Sequence, residues 1–182
     1  MNIRKISLCA LFTALLSICA WLAVPLGDIY ITMQTFGIFL CLLLLGGKYG
    51  TVSILTYLLL GAVGLPVFSG FRGGLGVLIG PTGGYIWGFA AASLLYWLLT
   101  SLFHRSFIRW VSLLLGLVLC YSLGSFWYVY TCLDPESISF LPVVGKCVLP
   151  YILPDLLKLS LALALENRLA RSGNFRNLTF LF

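Results

Sequence analysis

Charge is scarce in this chain of 182 residues, where Asp, Glu, Lys and Arg make up only 9%, against about 25% in soluble domains. Acidic side chains are scarcest, five against eleven Lys and Arg, and there is one histidine, His104, in the turn "HRSFIR" (104–109). With that histidine remote from Asp155, no Ser/His, Cys/His or paired-carboxylate arrangement can be assembled, so an enzyme is not expected. The six cysteines show no CxxC spacing, and no HExxH or DxxxD cluster occurs, so no metal site is expected. Four cysteines (Cys9, Cys19, Cys41, Cys120) fall in apolar runs, where a thiol behaves as a small hydrophobe. Also missing are internal repeats, low-complexity tracts and any polar appendage long enough for a second domain. One domain, 1–182, is expected.

What remains is apolar: 61% of the residues are hydrophobic and the mean hydropathy is +1.08. This reads as an integral membrane protein. Apolar runs at 6–26, 34–46, 50–65, 83–103, 107–131 and 148–165 approach the ~20 residues that cross ~30 Å of hydrocarbon, the shorter ones helped by flanking residues or tilt. Six transmembrane helices are therefore expected in an all-α fold. The first run follows Arg4 and Lys5 and resembles a signal peptide, but its length and the five runs behind it point to an uncleaved helix. An even number of spans puts both termini on one side. Placing them in the cytoplasm leaves Arg4, Lys5, Lys48, Arg105, Arg109, Arg168, Arg171 and Arg176 inside, eight of the eleven basic residues, as the positive-inside rule asks. The net charge of +6 then reports topology, and nucleic-acid binding is not needed to explain it.

The longer outer segments are 66–82, between helices 3 and 4, and 132–147. Cys132 and Cys147 bracket the second and have the option of oxidising together. The first contains "SGFRGGLGVLIGPTGGY" (69–85), with seven glycines, one proline and one arginine. Irregular backbone at membrane depth survives only when buried in protein or lining a polar cavity. The segment thus reads either as an ordinary solvated loop or as a lid over the outer mouth of the bundle. Its glycines run Gly74-x-Gly76-x-x-x-Gly80, which matches neither dinucleotide nor P-loop signatures.

"YILPDLLKLSLALALENRL" (151–169) places Asp155 and Lys158 in an apolar helix. Ionisable residues inside a span cost several kcal/mol and face a cavity or a partner. Three apart, these two share a helical face, roughly 20 Å from the cytoplasmic end at ~1.5 Å per residue. They are either a mutually neutralising structural pair or part of a binding site. With Arg72, Gln34, Phe68, Phe71, Tyr85, Trp87 and Tyr151, they are able to line one outer vestibule, an apolar pocket with a few aimed polar groups. In helix 1, Ser7, Ala10, Ala14 and Ser17 form a small-residue stripe, suited to close helix packing either within the bundle or against a partner.

Residues 33–89, "MQTFGIFLCLLLLGGKYGTVSILTYLLLGAVGLPVFSGFRGGLGVLIGPTGGYIWGF", together with "PDLLK" at 154–158, resemble the BioY family, the biotin-binding S components of energy-coupling factor (ECF) transporters. The resemblance runs over nearly the whole chain and rests on GLPVF, GPTGGY and D-x-x-K in that order. It implies a six-helix protein of the bacterial cell membrane that captures biotin at its outer face and topples to carry it inward. It also implies that Ala10 and Ala14 dock on a transmembrane coupling subunit energised by two cytoplasmic ATPases, with biotin as transported ligand and no cofactor. The expected substrate site is Asp155, Lys158, Arg72, Tyr85, Gln34, Gly73, Gly74, Trp87 and Phe68. In this reading Asp155 accepts from the ureido N–H groups, and Lys158 or Arg72 holds the carboxylate. The chain departs from some relatives at two places: Arg72 stands where they carry an amide, and Ile86 where they carry an arginine.

Overall fold

A computed structural model of the chain describes residues 3–26, 29–131, 145 and 148–171. In chain order the elements are α1 (Ile3–Trp21), β1 (Ala23–Leu26), β2 (Ile29–Thr32), α2 (Gln34–Ala62), a short α3 (Leu75–Ile79), α4 (Gly83–Leu102), α5 (Ser106–Thr131) and α6 (Leu149–Arg171). Four of the helices, α1, α2, α4 and α5, are long and apolar enough to cross a membrane. This is a multi-pass membrane protein.

The apolar run expected at 34–46 lies within α2, and the one at 50–65 lies within it as far as Ala62; α2 is helical throughout except at Gly46, where φ is 73° and ψ 176°. That backbone angle is one glycine adopts without penalty, and here it reverses the chain. Gln34 Nε2 donates to the Tyr57 hydroxyl at 2.7 Å, and Cys41 Sγ lies 3.7 Å from the Gly50 carbonyl. Residues 34 and 57 would be about 35 Å apart in a straight helix. So α2 is a helical hairpin whose arms, 34–45 and 47–62, run antiparallel. The first run was expected to stay helical to residue 26 but stops at Trp21, and a two-stranded antiparallel hairpin with Val24 opposite Ile31 follows. Pro25 accounts for the stop: it has no N–H to give to a helix, and it disfavours helical backbone in the residue before it. Among the described residues, the regular elements are therefore helical apart from this hairpin. The final helix extends past the expected residue 165 to Arg171. The 132–147 segment, with the expected Cys132–Cys147 option, lies outside the described residues except for Gly145, as do the chain ends.

Small residues set the packing. Where α4 and α5 cross, a Cβ on Gly88 would sit 2.8 Å from Cys120 Sγ, and one on Gly124 would sit 2.2 Å from the Tyr85 ring. The two helices approach so closely because each side chain fills a space its partner leaves vacant. Pairing Gly88 with Cys120 and Gly116 with Ala92 makes them antiparallel. On the other side, α1 lies along α2: the Thr13 hydroxyl donates to the Ser53 carbonyl at 3.0 Å, and Leu16 and Cys19 cover Gly37. The core runs through all of these, from Leu16 and Ile54 to Tyr96, Leu113 and Ala162.

Two ends result. One gathers the hairpin β1–β2, the 66–82 segment and the starts of α4 and α6. The other gathers the Gly46 turn, the 103–105 connection and the Arg109–Glu166 ion pair.

Candidate functional site: a polar cavity at one end of the bundle

At the first end, Tyr30, Gln34, Thr35, Arg72, Tyr85, Tyr121, Tyr151, Asp155 and Lys158 are among the residues around a cavity of about 90 Å³, measured by where the centre of a water molecule can go. One water needs about 10–15 Å³ on that measure, so there is room for several waters or a small solute.

Its polar heart is Asp155, 4% exposed, and Lys158, 8% exposed. Lys158 Nζ lies 2.7 Å from Asp155 Oδ1, the geometry that an i,i+3 spacing on one helix permits. Two further donors come from other helices. The Thr35 hydroxyl donates to Oδ1 at 2.8 Å from the first arm of α2, and the Tyr121 hydroxyl donates to Oδ2 at 2.6 Å from α5. A carboxylate offers about four lone-pair positions. Three donors therefore satisfy and orient Asp155 while leaving Oδ2 able to accept one more. An ammonium has three N–H donors, so Lys158 keeps capacity beyond its bond to Asp155. Pro154, the residue before Asp155, lies inside α6. It withholds an N–H from the carbonyl one turn back, exposing backbone polarity near the mouth.

The remaining expected residues divide. Arg72 lines the cavity from the rim: it is exposed, its Nε donates to the Ser69 carbonyl at 3.1 Å, and its guanidinium lies 5.5 Å from the centre of the Tyr30 ring. Tyr85 lines the cavity with its ring against Gly124. Gln34 also lines it, but its amide is engaged in a chain of contacts. Thr32 Oγ1 donates to Gln34 Oε1 at 2.9 Å, Gln34 Nε2 donates to Tyr57, and the Tyr57 hydroxyl donates to the Val67 carbonyl at 3.2 Å. This chain ties β2 to the start of the 66–82 segment.

Four expected residues are not among those that line the cavity. Phe68 is fully buried, 0% exposed, edge-on to Tyr57 and against Gly61. It anchors the segment instead of meeting a solute. Gly73 presses on the Leu65 carbonyl, where a Cβ would lie 2.2 Å away. Gly74, at φ 94°, donates its N–H to the Gly61 carbonyl at 2.7 Å. Trp87 is 49% exposed, because it lies two residues, about 200° of helix, beyond Tyr85. Helical phase thus places Trp87 away from the cavity that Tyr85 lines.

Sequence reasoning missed Thr35 and Tyr121, which hold the carboxylate, and Tyr30 and Thr32 from the hairpin. Helical spacing back from known contacts offers a partial signal, since Tyr121 follows Leu117 and Cys120 on the buried face of α5. On α1, Ser7, Ala10 and Ala14 are exposed and Ser17 is buried. Ala10, Thr13, Ala14 and Trp21 line an open groove with Thr56 and Leu60.

A helical membrane bundle with a cavity at one end, walled by tyrosines and centred on a buried, hydrogen-bonded ion pair, defines a solute-binding membrane protein. The sequence profile of the BioY family matches residues 1–175. The chain is 39% identical to the biotin transporter BioY of Thermotoga maritima, over 87% of this chain and 95% of that one. It is 38% identical to a probable biotin transporter BioY of Pyrococcus horikoshii, over 93% and 98%. A crystal structure of the S-component for biotin from an ECF-type ABC transporter superposes with a TM-score of 0.79 at 28% identity, covering 93% of this chain and 92% of that one. The chain belongs to the BioY family.

Proposed function

We infer that this chain captures biotin as the substrate-specific subunit of an ECF-type ABC importer in the cell membrane, and that it is a transport subunit with no catalysis of its own. The observation that carries the reading is the buried Asp155–Lys158 pair, with its remaining hydrogen-bond capacity turned to a cavity, in a chain so similar to named biotin transporters.

Biotin's chemistry suits the inventory. Its ureido ring has two N–H donors and one carbonyl acceptor, its thiolane ring and chain are apolar, and its tail is a carboxylate. One ureido N–H goes to Asp155 Oδ2. Lys158 donates its remaining N–H groups to the ureido oxygen or the carboxylate, and Arg72 faces the carboxylate at the rim. The walls of Tyr85, Tyr121, Tyr151 and Phe89 bury the apolar part. Hydrogen bonds to charged groups contribute ~1.5–3 kcal/mol each, and micromolar binding corresponds to ~8 kcal/mol, so polar and apolar contacts are both needed.

The same reading extends to topology and partners. The two arms of α2 count separately, and α6, carrying Asp155, Lys158 and Glu166, is the sixth span. This gives a single six-span domain over 1–182, with both termini in the cytoplasm of a bacterial cell and the 66–82 segment as outer lid. The exposed Ala10 and Ala14 dock on the transmembrane coupling subunit, which two cytoplasmic ATPases energise, and lipid surrounds the rest. Ala14→Trp should then abolish assembly and ATP-driven uptake while biotin still binds.

Equilibrium binding of radiolabelled biotin to the purified chain, with thiamine and riboflavin as competitors, tests the central claim. Saturable binding displaced only by unlabelled biotin is expected. Equal displacement by another vitamin would make the chain an S component of different specificity, and no saturable binding would remove the capture role.

A further inference from the structure

The other end of the bundle carries a second polar recess, formed between the Gly46 turn of α2 and the 103–105 connection of α4 to α5. This groove is open to about 330 Å³, and Gly46, Tyr96, Phe103, His104, Arg105 and Arg109 are among its lining residues. Arg109 is already engaged: it pairs with Glu166 and donates to the Leu43 carbonyl at 3.1 Å. His104 and Arg105 are exposed, and neither side chain has a hydrogen-bond, ion-pair or ring partner among the described residues. Since Arg109 holds Glu166, the only acidic side chain at this end among the described residues, no acid is left for them.

The surroundings are apolar. Phe103 is 53% exposed, Phe107 73% and Trp110 46%, a run of aromatic side chains of the kind that sits where hydrocarbon meets water. Lys5 and Lys48 flank the Tyr49 ring at 4.9 and 5.8 Å and add to the positive field. A groove with a free guanidinium and an imidazole at its mouth and aromatic side chains beside it fits a group that is anionic at one end and greasy at the other. A small inorganic anion would use only the cations.

We propose that this groove is a binding site for the phosphate of an anionic phospholipid, with Arg105 and His104 on the phosphodiester and Phe103 against the glycerol and upper acyl chain. Basic recesses between transmembrane helices hold such headgroups through the same combination of charge and apolar wall. The site is separate from the Asp155 cavity and does not depend on what that cavity binds.

Native mass spectrometry of the full chain released from a neutral detergent tests the proposal. The protein is titrated in turn with phosphatidylglycerol, with phosphatidylcholine of the same acyl chains, and with phosphatidylglycerol plus excess inorganic phosphate. Phosphatidylglycerol adducts should survive and exceed those of phosphatidylcholine, and inorganic phosphate should not remove them. Arg105→Gln should lower phosphatidylglycerol retention roughly fivefold, and His104→Gln with Arg105→Gln further still. Lys48→Gln, at the same end but outside the groove, should leave it within about twofold. Thermal unfolding of each variant guards against loss of fold, since all three substituted side chains are exposed. Equal retention of the two lipids, displacement by inorganic phosphate, or unchanged retention in the double variant would each overturn the proposal.

Discussion

Helix α6 carries two ion pairs about 16 Å apart along its axis, and they are built differently. Asp155 and Lys158 are neighbours on one helix, both buried, and further donors from α2 and α5 converge on the carboxylate. Glu166 instead reaches across to Arg109 on α5, whose other contacts are the Tyr96 hydroxyl of α4 and the Leu43 carbonyl just before the Gly46 turn. The second pair ties four helical segments together and caps a carbonyl that has lost its helical partner. The first pair also joins three helices, α2, α5 and α6, but unlike the second it borders a cavity in which Asp155 Oδ2 and Lys158 keep hydrogen-bond capacity. Burying it costs more than it returns in stability, which is what a binding group looks like. Position on a helix does not separate structural from functional charge; the direction of the spare hydrogen-bond capacity does.

Five substitutions break or sharpen that contrast. Arg109→Leu should have the largest effect, and on stability. Separating a buried pair costs ~3–5 kcal/mol, reduced here to ~2–3 because Arg109 is partly exposed. A fall of about 5–10 °C in the thermal midpoint is expected for a chain of this size, with biotin affinity of the folded fraction almost unchanged. A lost affinity at an unchanged midpoint would erase the distinction between the two ends. Asp155→Asn also leaves a buried partner unpaired and so costs stability, but unlike Arg109→Leu it should weaken biotin binding in titration calorimetry by more than about tenfold. Unchanged affinity would reduce this pair to a structural role as well.

Tyr121→Phe and Thr35→Val each remove one donor that orients Asp155, and each should weaken biotin by about fivefold, near 1 kcal/mol. Their combination with Asp155→Asn should add little, because both act through that carboxylate. Full additivity would mean that they contact the ligand separately. The smallest effect belongs to Arg72→Gln. An exposed cation contributes ~0.2–1 kcal/mol, so biotin should weaken about two- to threefold and biotin amide not at all. Equal effects on acid and amide would leave the carboxylate to Lys158 alone.

Much of this was legible in the sequence, for identifiable reasons. Asp155, Lys158 and Arg72 stand out because a charge in apolar sequence is costly and therefore informative. The helices at 83–102 and 106–131 follow from unbroken hydropathy. The hairpin was hidden in "AVPLGDIYIT" (23–32), whose Gly27-Asp28 between short β-branched and aromatic runs is a turn signal that the surrounding hydropathy swamps. Tyr121 and Thr35 were invisible for a different reason. A neutral hydroxyl within an apolar helix has no anomaly of its own, and its role arises only when α2, α5 and α6 bring Thr35 and Tyr121 to the Asp155 carboxylate. Phe68 and Trp87 fall outside the cavity lining, and aromatic character alone could not show this because core, surface and site share it; helical phase and the Gly61 contact tell them apart.

The closed contact between Lys158 and Asp155 also shapes how a solute arrives. At 2.7 Å the opposite charges cancel at a distance, and the cavity projects a dipole whose reach is shorter than that of a single ion. Long-range attraction of an anion therefore falls to Arg72, the lone cation at the rim among the described residues, and salt at physiological strength screens it beyond ~8 Å. Capture should accordingly proceed at a rate nearly indifferent to ionic strength. Such a receptor harvests its solute by patience at the mouth and discriminates only after the solute has crossed it.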